Sequence, residues 1–449
     1  MSNIDEMNYI SRDQPAAPKS WAMASPLSRQ RLITPLSRWS LGIFVMVDVI
    51  WLSVSPLTFA ASNFWSIGRA SLVILCAFGM LPLVLKRLEG DLTKTAGAIR
   101  AAAYGVNSLA RIAAFTVCLG VAAGTYMYLA ASAALPLQDA RLASVDQALG
   151  FDWLGFVGSA NSNPAISWAL VTAYHSALPQ MLGLYLFLSF GRYERRLAEF
   201  QALLSVTSVA VGALMLLVPA AGAYAHFRPP RELFDGFSSD AGMWHYEMFL
   251  RLRAGTEPLD FMKMEGLVTF PSFHTVLAIV TAYAFRGFRF LALPAVIVNG
   301  FVIVSTLPEG GHHLVDVIAG AMIAVAGINL ISALLILILE RVNMIGTLKA
   351  LGAPNASVRK TFLVVASFLV GRGLLAGNAL GLLLCWIQYK YHWIGLDEAS
   401  YYIAWVPVRL DVLQVLALNA GTVAICVTMM LLPTMLISRI TPIKALRFN

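Results

Sequence analysis

The feature that most constrains this chain is a series of long apolar runs separated by short polar or basic loops. A helix that crosses the hydrocarbon core of a bilayer needs about 20 mostly apolar residues, and about ten such spans can be drawn. They lie near residues 41–61, 69–85, 112–135, 165–189, 203–222, 273–285, 291–305, 314–340, 361–388 and 411–438. Because a bilayer offers no hydrogen-bond partners to an open backbone, these runs must be helical. The sequence predicts an all-α polytopic integral membrane protein.

Composition agrees with this class of protein. The chain is 58% hydrophobic and 12% charged, whereas an average soluble domain has about 25% charged residues. The formal net charge of +8 is scattered over short loops, so it indicates membrane topology and no nucleic-acid partner. Asp48 and Arg372 lie inside apolar spans, where a charge costs about 2.5–3.5 kcal/mol. Each is therefore expected to have a partner or to face a polar cavity.

The basic residues also predict orientation. Basic segments occur before the first span and at residues 86–111, 192–196, 286–289, 341–360 and 439–447. All of them fall on one side, which the positive-inside rule makes cytoplasmic. We therefore expect a multi-pass inner-membrane protein with both termini in the cytoplasm. The opposite side receives loop 223–272, which is rich in arginine for an external loop and so suggests a bound ligand.

Two histidine clusters fall on that external side. One is the sequence Pro271–His274 before an apolar span; the other is His312 with His313, followed by Asp316. His312 and Asp316 are four residues apart, so they share a face if a helix begins there. The carboxylate can then fix one imidazole nitrogen and leave the other free as a nucleophile. With His274 as an acid from another helix, the pattern predicts phosphoryl transfer through a phosphohistidine.

Three other interpretations of these histidines are open. They can be interfacial residues without chemistry, although the order of the clusters on one membrane face argues against this. His313 can be the nucleophile, although its spacing to Asp316 is three rather than four. Two histidines and an aspartate can also bind zinc. Only one short-range pair exists, and no Cys or Glu joins it, so we expect no metal and no cofactor.

The same residues resemble the type 2 phosphatidic acid phosphatase superfamily over about residues 110–325. The resemblance is closest to the branch that contains inositol phosphorylceramide synthases. In that superfamily the first signature is a Lys and an Arg-Pro, and the second is Pro-Ser-Gly-His. Arg228-Pro229 matches the first in part, with Ala221 where the lysine would stand. Pro271–His274 matches the second, with Phe273 in place of glycine.

The third signature of the superfamily is Ser-Arg, five residues, His, three residues and Asp. Ser305, His312 and Asp316 match its spacing, but Thr306 stands where the arginine would be. The region 136–155, which includes the sequence from Asp146 to Trp153, is also typical of bacterial members. Two of the usual phosphate-binding cations are therefore missing.

The resemblance implies a role for each matching residue. His312 would attack phosphorus, Asp316 would orient it and stabilise the imidazolium, and His274 would protonate the leaving alkoxide. Arg228 would bind phosphate oxygens, and Arg231 could replace one missing cation. Ser272 and the backbone amides that open the 273–285 helix would add hydrogen-bond donors. The substrate would be a membrane lipid phosphate bound at the extracytoplasmic face.

The C-terminal part has a different character. Residues 344–352 read Met-Ile-Gly-Thr-Leu-Lys-Ala-Leu-Gly, and residues 440–446 read Ile-Thr-Pro-Ile-Lys-Ala-Leu. They resemble the last three spans of an FtsX-type permease of the lipoprotein-releasing kind. That resemblance implies that the 341–360 segment is a coupling helix for an ABC-transporter ATPase. An ordinary amphipathic juxtamembrane helix is the alternative.

These patterns together predict three parts: a cytoplasmic tail at 1–40, a lipid-phosphatase-like membrane domain at 41–327 and an FtsX-like permease fragment at 328–449. The seam is expected within the 314–340 helix. The predicted function is that of a membrane lipid phosphate phosphatase or phosphotransferase. The alternative is a truncated ABC-transporter permease subunit in which the phosphatase-like part is a catalytically silent scaffold.

Overall fold

A computed structural model of the chain describes residues 32–65, 67–69 and 93–392, isolated positions between 72 and 91, and positions 415, 416 and 419. Most of the predicted tail, nearly all of the predicted 69–85 and 411–438 spans and the 393–410 loop lie outside the described residues. The chain divides into two compact units, Met1–Ile331 and Ser332–Asn449.

The described residues are built from α-helices. They contain no β-strand and only one isolated bridge, between Phe59 and Leu259. The first unit begins with α1 (Pro35–Leu52), α2 (Lys94–Ser132), α3 (Asp139–Ala148), α4 (Trp153–Asn161), α5 (Pro164–Phe190) and α6 (Glu194–Leu217). It continues with α7 (Ala223–Phe227), a 3₁₀ turn (Arg231–Phe234), α8 (Tyr246–Arg253), α9 (Phe273–Ala284) and α10 (Ala292–Ser305). Then come α11 (Leu314–Ala350) and α12 (Asn355–Tyr391).

Four stretches of the described helices are long and apolar enough to cross a membrane: Pro35–Leu52, Lys94–Ser132, Glu194–Leu217 and Leu314–Ile331. Helices α9 and α10 are shorter but apolar. The predicted fold class, an all-α polytopic membrane protein, is confirmed.

Helix starts differ from the predicted spans where a polar cap extends the helix beyond its apolar run. Helix α1 begins at Pro35 rather than near residue 41, because the Thr34 hydroxyl accepts a hydrogen bond from the Ser37 amide at 3.1 Å. Helix α2 begins at Lys94, well before residue 112, because the Thr93 hydroxyl caps it through the Ala96 amide at 3.2 Å. Such side-chain caps satisfy amides that the first turn leaves unpaired.

A continuous apolar core joins the helices that surround the histidine clusters. It is formed by buried side chains of α2, α5, α6, α9, α10 and α11, which include Ile112, Leu184, Leu203, Val276, Val302 and Ala324. Because these helices share one core, α9 and α11 are held side by side.

Glycine allows α9 and α11 to approach closely near their N-terminal ends. A β-carbon added at Gly320 of α11 would lie 2.4 Å from the carbonyl oxygen of Ser272 and 3.2 Å from Cβ of Thr275. The Ser272 amide donates to the carbonyl oxygen of Asp316 at 3.0 Å. The start of α9, which carries His274, is therefore fixed against the first turns of α11.

The charges predicted inside apolar spans have different surroundings. Asp48 in α1 is buried, and its Oδ1 has no hydrogen-bond partner within the described part of the chain. In the second unit, the Arg372 guanidinium lies over the Phe368 ring, 5.8 Å from its centroid. Also in the second unit, the side-chain amides of Asn378 and Asn419 form two reciprocal hydrogen bonds, of 2.7 and 3.2 Å. These bonds connect α12 to the predicted last span.

We expect Gly320→Ala to weaken both folding and activity. The added methyl group has no space against the Ser272 carbonyl, and overpacking of this kind costs about 1–3 kcal/mol. Gly183→Ala in α5 is the matched control, because a β-carbon there meets no atom within 4 Å. Thermal unfolding of the two detergent-purified variants checks the prediction. Equal melting temperatures would contradict the close packing of α9 on α11.

Candidate active site

His312 and Asp316 meet at the N-terminal end of α11. His312 lies in the loop that follows α10, two residues before the helix, and Asp316 lies in the first turn of α11, which begins at Leu314. The distance between His312 Nδ1 and Asp316 Oδ2 is 3.3 Å, and both side chains are buried. With the carboxylate on Nδ1, the imidazole keeps its proton there and leaves Nε2 as the unprotonated nitrogen.

The neighbouring histidine has a different environment. The His313 ring is fully buried between two carboxylates, with Nε2 3.7 Å from Asp139 Oδ1 and Nδ1 3.5 Å from Asp146 Oδ2. Burial lowers the pKa of His313, but Asp139 and Asp146 outweigh it and raise that pKa to about 9. His313 is therefore a cation at neutral pH, and both of its nitrogens face carboxylates. A protonated imidazole has no lone pair with which to attack phosphorus.

Both carboxylates come from α3 and also bind backbone amides. Asp146 accepts hydrogen bonds from the amides of Leu314 and Val315, each at 2.8 Å, and so caps α11. Asp139 accepts from the amides of Ala221, at 3.0 Å, and Gly222, at 2.8 Å. Burial raises the pKa of Asp139, but the nearby His313 ring and the hydrogen bonds from these amides lower that pKa below its ordinary value.

Sequence reasoning assigned no role to either carboxylate. Asp146 lies in region 136–155, whose sequence is typical of bacterial superfamily members. That resemblance was the signal that could have pointed to this carboxylate. Asp139 lies 174 positions before His313, and no spacing rule connects residues so far apart.

His274 reaches the same region from α9 through an aromatic ring. The His274 ring stacks on Tyr174 of α5, with centroids 4.5 Å apart and planes 26° apart. A β-carbon at Gly310 would lie 2.8 Å from His312 Cδ2 and 3.2 Å from Tyr174 Cε2. Tyr174 therefore contacts one histidine and approaches the other across Gly310, where no side chain would fit. Sequence reasoning missed Tyr174.

The three predicted phosphate ligands are placed differently. Arg228 is exposed at the end of α7, with a left-handed φ of 47°. Within the described residues its guanidinium has no recorded hydrogen bond or ion pair. The Arg231 guanidinium donates to the carbonyl oxygen of Ser239. Ser272 is fully buried as the N-cap of α9, and its hydroxyl oxygen accepts hydrogen bonds from Thr275.

The residue that precedes Arg228 packs against His313. The ring of Phe227 is 6.1 Å from that of His313 and stacks on Trp153 at 5.5 Å. The Trp153 indole donates in turn to the carbonyl oxygen of His312 at 3.1 Å. Arg228 therefore follows directly after a segment that packs on the histidine loop.

Other arginines of loop 223–272 bind the protein itself. Arg251 pairs with Glu257 at 2.9 Å and with Glu247 at 3.4 Å. Arg253 donates to the carbonyl oxygens of Ala134 and Leu135 at 3.3 and 3.0 Å. Together with Arg231, these residues account for much of the loop's positive charge without a ligand.

The atoms around Asp316 are the possible ligands of a zinc ion. Asp316 Oδ2 faces both the His312 ring and the His313 amide, the latter at 2.9 Å. Within the described part of the chain, no group of three or more His, Cys, Asp or Glu side chains has an arrangement that could hold a metal ion.

Comparison with protein families identifies both parts of the chain. Residues 140–330 match the PAP2 superfamily, that of the type 2 phosphatidic acid phosphatases, and residues 317–442 match the FtsX-like permease C-terminal family. The chain therefore has one region similar to the PAP2 superfamily and an overlapping region similar to FtsX-like permeases, and both predicted resemblances are confirmed.

Curated relatives match the chain in the C-terminal region. The lipoprotein-releasing system transmembrane protein LolC of Neisseria meningitidis is 29% identical over 145 residues, and LolC of Xylella fastidiosa is 27% identical over 144 residues. Each match covers 30% of this chain and 35% of the relative. The chain thus spans about a third of the length of these relatives. No solved structure matches the chain.

The buried histidine predicts a pH dependence of stability. The folded-state pKa of His313 is about 9, against an ordinary value of 6.5. Because the folded pKa is the higher one, its stabilisation is complete below pH 6.5 and is lost as the pH rises through 9. The groups facing this ring are Asp139, Asp146 and, 6.0 Å away, His226.

We expect the melting temperature of the purified protein to fall between pH 7 and pH 9.5 as a result. In His313→Gln this part of the fall should be absent, because glutamine does not titrate. His392→Gln, in the second unit, is the control and should keep the fall. Parallel curves for His313→Gln and the unsubstituted protein would contradict the protonated state of His313.

Proposed function

We propose that the protein transfers or hydrolyses the phosphoryl group of a membrane lipid phosphate at the extracytoplasmic face, through a phosphohistidine on His312. The observation that carries this proposal is the contact of 3.3 Å between His312 Nδ1 and Asp316 Oδ2 within the PAP2 superfamily region. It leaves Nε2 available to a substrate, whereas His313 is held between carboxylates.

The proposed first step uses three side chains. His312 Nε2 attacks phosphorus, the new N–P bond forms and the bond to the leaving oxygen breaks. Asp316 stabilises the positive charge that develops on His312. His274, which shares the Tyr174 ring, donates a proton to the leaving alkoxide, and such acid catalysis contributes about 10²–10⁴-fold. Water or an alcohol then takes the phosphoryl group from His312.

An apolar cavity supports a lipid as the substrate. Its volume is about 690 Å³, and it is lined by α4, α5 and α10, including Phe156, Leu170 and Val304. Ligand pockets commonly have volumes of about 300–1,000 Å³. Phe156 and Leu170 belong to the apolar cluster around Trp153, whose indole donates to the His312 carbonyl. An acyl chain in this cavity would therefore lie beside the histidine loop.

Arg228 is the strongest candidate for the phosphate ligand. Its guanidinium has no recorded polar partner within the described residues, whereas Arg231, Arg251 and Arg253 donate to protein oxygens. A planar guanidinium binds two oxygens of a phosphate at once. Arg231 and Ser272 would support phosphate binding by positioning the segments around the phosphate.

The nucleophile assignment gives a direct prediction. His312→Ala should abolish lipid-phosphate turnover and any trapped phospho-enzyme, because the attacking nitrogen is removed. His313→Ala should lower stability, because it leaves two buried carboxylates without their cation, but should keep measurable turnover in the folded fraction. The first measurement is phosphate release from several lipid phosphates by purified protein. The second is the amount of labelled phosphoryl group that remains bound to the protein after the reaction is stopped with alkali.

Two results would contradict the assignment. One is a label recovered on His313 rather than on His312. The other is stoichiometric zinc in the purified protein with turnover lost on its removal, which would favour the zinc interpretation. His226→Ala serves as the control for a histidine substitution near the site.

The C-terminal region supports a second candidate function. Its match to the FtsX-like permease family and to LolC motivates the proposal that residues 341–360 contact an ABC-transporter ATPase. In this proposal the PAP2 region is a scaffold for a permease subunit. The two candidates differ in whether the PAP2 region turns over lipid phosphate, because a scaffold would be catalytically silent.

We expect a chain that ends after Arg341 to insert into the membrane and keep its turnover. The first compact unit ends at Ile331, and the first-turn Asp316 and its apolar packing precede that point. ATP and a candidate ATPase should leave turnover by the full chain unchanged. Turnover that is lost from a folded truncated chain, or that rises with ATP hydrolysis, would show that the two regions act together.

A further inference from the structure

A buried carboxylate lies beside the proposed site and has no role in the steps above. Glu309 precedes His312 by three residues, and its side chain is fully buried. Its Oε1 accepts hydrogen bonds from the Ser238 amide, at 3.2 Å, and from the Ser238 hydroxyl. Its Oε2 has no hydrogen-bond partner among the described residues. A buried polar atom in this state is uncommon in native proteins and requires an explanation.

A histidine completes a chain of hydrogen bonds with these two residues. His175 Nε2 lies 3.2 Å from the Ser238 hydroxyl oxygen and 3.7 Å from Glu309 Oε1. The serine hydroxyl has one proton, which it donates to the carboxylate, so it accepts from His175 Nε2–H. This network assigns the tautomer and leaves Nδ1 as the unprotonated nitrogen of His175. The His175 side chain is 48% exposed, so part of its ring is not covered by the protein.

This group is next to the reacting histidines. The His175 ring packs edge-on against Tyr174, with centroids 5.6 Å apart, and Tyr174 stacks on His274. Glu309 is followed by Gly310, the residue in close contact with both His312 and Tyr174. The exposed imidazole is thus separated from the proposed acid, His274, by a single aromatic ring.

Holding the loops together does not require these side chains. The amide of Gly242 already donates to the Glu309 carbonyl oxygen at 2.8 Å, and the amide of Ala223 donates to the Gly311 carbonyl oxygen at 2.7 Å. These backbone bonds fix the histidine loop to both neighbouring segments. Burial raises the pKa of Glu309, and the hydrogen bonds from Ser238 together with the nearby His175 ring offset only part of that rise. A carboxylate in this condition can accept a proton.

We propose that His175, Ser238 and Glu309 form a proton relay that activates the acceptor in the second half of the reaction. The inference rests on the proposed phosphohistidine at His312. The acceptor is water or the hydroxyl group of a second substrate. It is bound by Nδ1 of the exposed His175 ring.

In this second half-reaction, the acceptor oxygen attacks phosphorus and a new O–P bond forms. The N–P bond to His312 breaks, and its electron pair returns to His312 Nε2. The acceptor proton moves to His175 Nδ1. His175 then gives its Nε2 proton to the Ser238 oxygen, while Ser238 gives its own hydroxyl proton to Glu309. His175 is therefore the catalytic residue of this step, and Ser238 and Glu309 are positioning residues behind it.

The test separates the two half-reactions in a single-turnover experiment. Purified full-length protein is mixed with labelled phosphatidic acid in detergent micelles, and formation and decay of the base-stable phospho-enzyme are followed after an alkaline quench. We expect His175→Gln to slow decay by about 10²-fold or more, since general base catalysis contributes about 10²–10⁴-fold. Formation of the phospho-enzyme should be nearly unchanged, because His175 takes no part in the first half of the reaction.

Serine variants provide matched controls. Ser238→Ala should slow decay because it breaks the relay, whereas Ser238→Thr, which keeps a hydroxyl group, should restore it. Ser239→Ala is the neighbouring control, because the Ser239 hydroxyl donates to Asp240 Oδ2, at 3.2 Å, and forms no hydrogen bond with His175 or Glu309 among the described residues. Glu309→Gln should slow decay and flatten its pH dependence.

Three outcomes overturn the relay. In the first, decay is unchanged in His175→Gln. In the second, formation and decay of the phospho-enzyme slow equally in His175→Gln and its melting temperature falls, which indicates that the side chain only holds the loops together. In the third, Ser238→Thr fails to restore decay although its melting temperature is unchanged. Absence of both phospho-enzyme and turnover in the unsubstituted protein would instead overturn the proposed function itself.

Discussion

The N-terminal end of α11 depends on a buried ionic cluster of Asp139, His313 and Asp146. Two carboxylates enclose one imidazolium, and both also accept hydrogen bonds from backbone amides. Removing one member of such a cluster leaves an uncompensated buried charge, which is strongly destabilising. The cluster joins α3, the start of α7 and the start of α11, and it fixes the loop that carries His312.

The same cluster makes two adjacent histidines chemically different. His313 is flanked by two carboxylates that keep it protonated, while His312 contacts a single carboxylate through Nδ1. In the proposed reaction, environment rather than residue type sets which imidazole attacks phosphorus. The histidine at position 313 then serves the site as a fixed cation that holds its neighbour in place.

The two families meet within one helix of this chain. The PAP2 superfamily match ends at residue 330 and the FtsX-like match begins at 317, so both include part of α11. The predicted seam near 327 and 328 stays a prediction. A single continuous helix can serve as the last helix of one region and the first of the next, because its apolar run satisfies the length that a bilayer requires of either.

The sequence by itself determined the membrane class, the helical architecture and the pairing of His312 with Asp316. Apolar run length and a four-residue spacing are local properties, and a helix converts both directly into geometry. Only the tertiary structure decided what surrounds the pair: the carboxylates on His313, the Tyr174 ring on His274 and the Glu309 group. These contacts join distant segments through packing and burial, which no spacing within the sequence records.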